Sequence, residues 1–358
     1  VCFPLSTDAT ALNSNFPGKL RFWIGDQRQT RIVRYAIGVT LSVAIAFGVD
    51  WPLAFLMPVL TAVVLAMPLP SPTLKSALKN MLQTLVGFSV GAIYTIFLLP
   101  YPLIYLPMLG LGLFHIYYLV NRGASFWLVL MLLLSVLILP MLGNTAEGLA
   151  LELALGFIGS GWLTVGMIIL AHTLVPDPPG GPGLPARPGF QRGYSAPAAH
   201  AALKSTIVVL PIASLFLILN MSGLILIMVF AAIFTLQPDL SKGRDAGMNS
   251  LISTLIGGFA AYVFYYIIVA VPEFHFLIAL MLLTTLLFGR QAFSSSPTAK
   301  YAGSAFVALL VLFNGSLGDD ASFTSNFIMR VVFISFAVLY VVSALRVIER
   351  YWPQKQAV

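Results

Sequence analysis

Apolar segments close to twenty residues long follow one another almost without pause between Arg34 and Leu345. About 20 apolar residues in a helix cross the ~30 Å hydrocarbon layer of a bilayer, so this pattern restricts the fold more than any other feature. Composition agrees, with 59% hydrophobic and 9% charged residues. Soluble domains carry about 25% charged residues, so the chain reads as a polytopic membrane protein rather than one with a large core. The formal charge of +7 does not indicate nucleic acid, because the basic residues come one or two at a time between apolar runs. Cys2 is the single cysteine and excludes an intrachain disulfide. The residues up to Pro17 are not apolar enough for a signal-peptide core, so insertion is expected to begin with the first helix.

Twelve spans can be drawn. The first six lie at about 34–49, 51–67, 78–99, 102–120, 125–143 and 150–174. The second six lie at about 204–219, 222–236, 247–270, 273–289, 299–315 and 325–345. Counted with a cytoplasmic N-terminus, all of the 19 Lys and Arg except Arg330 fall on the inner side. The outer loops carry Asp50, Glu147, Glu273, Asp319 and Asp320 instead. That asymmetry is the one the positive-inside rule demands, and it predicts both termini in the cytoplasm.

Residues 175–203 form a Pro/Gly-rich cytoplasmic linker between two repeats, 34–174 and 204–345, with an N-terminal segment 1–33 and a tail 346–358. An offset of 170 aligns the repeats without a gap from Arg34/Lys204 to Asn144/Asn314. Polar and special-geometry matches carry the alignment: Asp50/Asn220, Pro68/Pro238, Ser71/Ser241, Thr84/Thr254, Gly87/Gly257, Pro102/Pro272 and Ser125/Ser295. An even number of spans in each copy gives direct repeats of the same orientation, with a pseudo-twofold axis along the membrane normal. The expected fold class is therefore all-α, about 12 transmembrane helices as two six-helix direct repeats.

Candidate functional residues follow from that frame. Thr84, Gly87 and Gly91 share one helix face, and Thr254 and Gly257 repeat it; small residues there either pack two helices closely or line a path. Lys75 and Lys79 open the third span, and Lys242 and Arg244 occupy the matching turn. They read as a basic vestibule for anions or as topology anchors. Arg330 lies inside the last span, where an unpaired guanidinium costs on the order of 3 kcal/mol, so it should face a cavity or a carboxylate such as Glu152. Asp50, His115, Glu152 and His172 are candidates for proton coupling. No nucleotide loop, nucleophile elbow or metal-spaced His/Cys cluster occurs, so neither an enzyme nor a cofactor is expected.

Several of these segments resemble the fusaric-acid-resistance / aromatic-acid exporter (FUSC-like) superfamily. They are W-P-L-A-F-L-M-P-V-L-T-A-V-V-L-A-M-P from Trp51 to Pro68, S-P-T-L-K-S-A-L-K from Ser71 to Lys79 and T-L-V-G-x-x-x-G from Thr84 to Gly91. In the second copy the run from Phe230 to Ala246 is similar, with its Gln237-Pro238 pair. The start R-I-V-R-Y-A-I-G at Arg31 looks most like a short, all-membrane branch. The resemblance implies an exporter of small, often aromatic, organic acids in a bacterial inner membrane. With no ATP-hydrolysing domain in the sequence, active transport has to draw on an ion gradient or a partner's energy, and proton coupling is the expectation. It also implies a periplasmic membrane-fusion adaptor and an outer-membrane channel as partners. Two departures stand out: the large soluble domains of bigger members are missing, and the family's basic position in the third helix holds Asn80 or Gln83. Plant anion channels with a related six-helix unit keep a passive organic-anion channel in contention, and a subunit that only docks an adaptor is the third reading. Oligomeric state stays open, homo-oligomer included, because an internal duplication already mimics a dimer.

Overall fold

The computed structural model describes residues 27–51, 53–67, 72–144, 148–178, 190–191, 193–220, 225–236, 240–315 and 323–351. Among these residues the chain is helical, without strands. In the first half lie α1 (Gln27–Gly48), α2 (Leu56–Ala66), α3 (Leu74–Ile93), α4 (Pro102–Asn121), α5 (Phe126–Gly143) and α6 (Leu149–Leu174). The second half holds α7 (Ala196–Ile218), α8 (Ile225–Phe234), α9 (Leu240–Ala270), α10 (Phe274–Ala292), α11 (Ala299–Gly315) and α12 (Phe323–Tyr351). Nine described helices are long and apolar enough to cross a membrane, the make-up of a multi-pass membrane protein.

Two expectations change. α2 has 11 residues and α8 has 10, so at 1.5 Å per residue each extends about 16 Å, half of a bilayer's hydrocarbon. Neither α2 nor the described part of α8 is a full span, and α11, with 17 residues, is the third expected span outside the nine. Several helices also begin or end beyond the apolar limits. α1 starts at Gln27, α3 at Leu74, α7 at Ala196, and α12 runs to Tyr351. Apolar counting senses only the hydrocarbon slab, whereas the backbone ladder continues through flanking charges until something caps it. Thr73 caps α3 by accepting from the Ser76 N–H at 3.2 Å, and Ser195 caps α7 by accepting from Ala198.

Turn chemistry explains where the helices stop. Asp50 and Asn220, which end α1 and α7, have φ of 53° and 52°. Among L-residues with side chains, Asn and Asp tolerate this left-handed region best. α4 closes with Gly123 at φ 81°, the Gly123 N–H on the Val120 carbonyl and the Ala124 N–H on that of Leu119, a Schellman turn.

Packing falls into matched pairs. α3 lies against α5 and α6, as α9 lies against α11 and α12. α2 packs on α6 and α8 on α12; α1 packs on α2 and α7 on α8. Across the midpoint α4 packs on α7, α10 packs on α1, α2 touches α11, and α8 touches α5. The cores are therefore shared. Tyr105, Leu109 and Leu113 of α4 lie in one cluster with Val208, Val209 and Ile212 of α7. Tyr35, Val39 and Val43 of α1 lie in another with Met281 of α10 and Phe306 and Phe313 of α11.

Candidate functional site

The small-residue stripe is taken up in packing. A Cβ at Gly87 would sit 2.8 Å from that of Met131, and one at Gly91 would sit 2.5 Å from that of Ser135. Lipid offers no hydrophobic drive between helices, so this close backbone approach is what joins α3 to α5. Ser135 seals the seam by donating to the Gly87 carbonyl at 2.7 Å. The Thr84 hydroxyl accepts from Trp127 Nε1 at 2.9 Å and donates to the Asn80 carbonyl, so its capacity is filled inside the bundle. On α9, Thr254 is buried, and a Cβ at Gly257 would run into the carbonyl of Ala305.

Charge tells more. Among the described residues four cations are buried: Arg34 at 5% exposure, Arg122 at 5%, Lys204 at 3% and Arg330 at 8%. No described carboxylate is buried with them. An ionised side chain inside a membrane bundle is costly and is a functional-site candidate by default. Sequence reasoning singled out Arg330 but treated Arg34 and Lys204 as flanking charges. Their equivalence at an offset of 170 was the signal that could have drawn attention to them.

Two of these cations hold residues of the linker between α6 and α7. Arg34 donates from Nε to the Val175 carbonyl at 2.9 Å and from Nη2 to Asp177 at 2.6 Å. It therefore closes the C-terminus of α6, where unpaired carbonyls attract a cation. Arg122 donates to the Gln191 carbonyl, whose own N–H donates back to Arg122 at 3.1 Å. Tyr118 accepts from the Ser195 N–H at 3.1 Å. Both described ends of the linker are thus fastened to helices of the first half. Lys204 forms no ion pair or hydrogen bond with a described residue.

The short helices end beside these groups. Arg31 donates to the terminal Ala66 carbonyl of α2 at 3.3 Å and lies over the Phe293 ring at 4.3 Å, so it ties α1, α2 and the end of α10 together. α8 ends on hydroxyls instead. Tyr117 of α4 donates to the Ala232 carbonyl at 3.0 Å, and Ser205 of α7 donates to that of Thr235 at 2.6 Å.

The remaining candidates are scattered. Lys75 and Lys79 are exposed on α3. Lys242 and Arg244 belong to α9, but their side chains lie outside the described residues. Glu152 is exposed on α6 and makes no ion pair with Arg330 of α12. His115 is exposed and His172 half-buried, and each ring nitrogen Nδ1 lies 2.8 Å from the carbonyl four residues earlier, Leu111 and Ile168. Asp50 is exposed at its left-handed turn. Arg34 and Arg122 thus hold the linker ends and Arg31 the end of α2, while the proton-coupling candidates stay dispersed over α4, α6 and the turn after α1.

Residues 31–171 match the model of a family described as a protein of unknown function (DUF2955). The matched stretch covers α1 to α6, one half of the helical body. No curated protein and no solved structure matches the chain.

Proposed function

We propose that this chain is a membrane transporter of small amphipathic organic anions, built from two six-helix repeats in parallel orientation. The observation that carries the reading is the sign of the interior: four buried cations and no buried carboxylate among the described residues. A low-dielectric interior biased this way favours an anion and discriminates against a cation.

Three further observations support the duplicated architecture. Helix contacts recur six helices apart. The left-handed Asp50 and Asn220 and the buried Arg34 and Lys204 each differ by 170 in number. The family match spans one six-helix unit. In this arrangement each half lends its fourth helix to the first helix of the other, so the halves cannot move without repacking α4 on α7 and α10 on α1. The short α2 and α8 stand where the halves meet. Broken helices at a repeat interface are where many transporters hold substrate. The outward direction and the service of a periplasmic adaptor and outer-membrane channel come from the sequence resemblance to the fusaric-acid-resistance / aromatic-acid exporters, and proton coupling is the reading's energy source in a chain without a nucleotide loop.

Purified protein in proteoliposomes tests the reading. Labelled benzoate should cross faster than in protein-free vesicles, and an imposed proton gradient should accelerate it. Unitary currents in a planar bilayer that ignore the gradient would convert the pump into a channel. Flux that appears only when an adaptor is added would make the chain a docking subunit.

A further inference from the structure

Arg34 and Lys204 occupy matching places on α1 and α7, yet only one of them is neutralised. Arg34 is satisfied by the Val175 carbonyl and the Asp177 carboxylate, just past the last turn of α6. α12 stands where α6 stands in the first half, and 170 residues beyond Val175 and Asp177, past the stretch that aligns without a gap, it carries Leu345 and Val347. α12 does not end at that level, because it runs on to Tyr351. Its carbonyls there stay within the helical ladder, and Val347 has no charge to offer. Lys204 accordingly makes no ion pair or hydrogen bond with a described residue, Glu349 of α12 included.

The neighbouring hydroxyls do not replace them. Ser205 donates to Thr235, Thr206 to Ala202, and Tyr340 of α12 to the Val208 carbonyl at 2.7 Å. Beside these filled hydroxyls, the apolar cluster shared by α7, α8 and α12 has Val208, Ala231, Ala232, Val341 and Leu345 among its buried members. A buried lysine on a helix that also feeds this apolar cluster matches a ligand with one carboxylate and an apolar body.

We propose that Lys204 is the anion-receiving group of this protein, and that the chain holds one such site, at the α7–α8–α12 junction, rather than two. The assignment rests on the transporter reading for its purpose, but its chemistry is tested separately. The duplication would have supplied two equivalent cations. Asp177 withdraws Arg34 into a structural role and leaves Lys204 to bind.

Equilibrium binding of labelled benzoate to the purified full chain in lipid nanodiscs is the direct test, with inorganic phosphate as a second arm. Wild-type protein should bind benzoate at one site. Lys204→Met should weaken binding about tenfold or more, the loss expected for one charge-assisted hydrogen bond. Lys204→Arg should stay within about threefold of wild type, which separates charge from packing. Arg34→Lys should leave affinity unchanged. Undiminished binding by well-folded Lys204→Met overturns the proposal, as does an absence of binding by wild type. Phosphate competing as strongly as benzoate overturns the organic-acid assignment. Flux of benzoate that does not depend on Lys204 sinks this site but leaves the transporter reading intact. Lys204-dependent binding without flux under any gradient does the reverse.

Discussion

The α10–α1–α2 junction and the α4–α7–α8 junction are built from corresponding helices, yet they are held together by different chemistry. The first is aromatic and apolar. Tyr35 meets Phe293 and Phe306 edge-on, each at 5.8 Å between ring centres, and its buried hydroxyl has no hydrogen-bond partner. In the second, the residue matching Tyr35 is Ser205, which with Tyr117 and Thr235 forms a filled hydrogen-bond network at the end of α8. The comparison teaches that one packing scheme accommodates either a ring seam or a polar network, provided the short helix finds donors for its last carbonyls. Arg31 supplies them on one side and two hydroxyls on the other.

The comparison can be broken most severely at the glycine seams. Gly257→Ala sets a methyl group against the Ala305 backbone, which cannot yield, and should cost about 3 kcal/mol. Gly87→Ala meets a side-chain carbon and the edge of the Met131–Leu132 backbone, and should cost about 2 kcal/mol. Thermal unfolding in detergent should rank the two in that order. Equal losses would mean that the seams are interchangeable.

Next comes the cation pair. Arg34→Ala leaves the end of α6 uncapped and should destabilise by about 2 kcal/mol, reduced from a fully buried pair because the Asp177 side chain is 41% exposed. Lys204→Met removes a buried charge without a described partner and should leave thermal stability unchanged or raise it. A comparable loss at both positions would show that Lys204 is structural.

The hydroxyls should differ in sign. Tyr117→Phe deletes a hydrogen bond to Ala232 and should lower stability by about 1 kcal/mol. Tyr35→Phe deletes an orphaned hydroxyl and should be neutral or stabilising by up to about 1 kcal/mol. The smallest effect is expected at the turns. Asp50→Asn should change stability by less than about 0.5 kcal/mol, since Asn220 holds the same conformation in the other half. Proton-driven flux of this variant should equal that of wild type. A collapse of the proton dependence alone would restore Asp50 as a coupling group.

Much of the fold was legible before any coordinates. Apolar runs located the helices to within a few turns, because hydrocarbon-length segments have few alternatives. The glycine faces were legible as well, since Thr84, Gly87 and Gly91 recur at helical spacing. The shortness of α2 and α8 was not, because an apolar run does not record where the backbone stops being helical. Nor was the importance of Arg34 over Lys75: Lys75 reads as a vestibule candidate and Arg34 as a flanking charge, and burial reverses that order.

The sequence by itself determined that this is a multi-pass helical membrane protein. It also paired Asp50 with Asn220 and Arg34 with Lys204. Only the tertiary structure decided that α4 and α10 cross to the opposite half, that the small-residue stripes are seams, and that Asp177 neutralises one cation of a pair. Periodicity specifies which face a helix buries, but not which helix covers that face. A charge also declares its sign in the sequence, whereas the partner that neutralises it is chosen by contacts formed across 143 residues of chain.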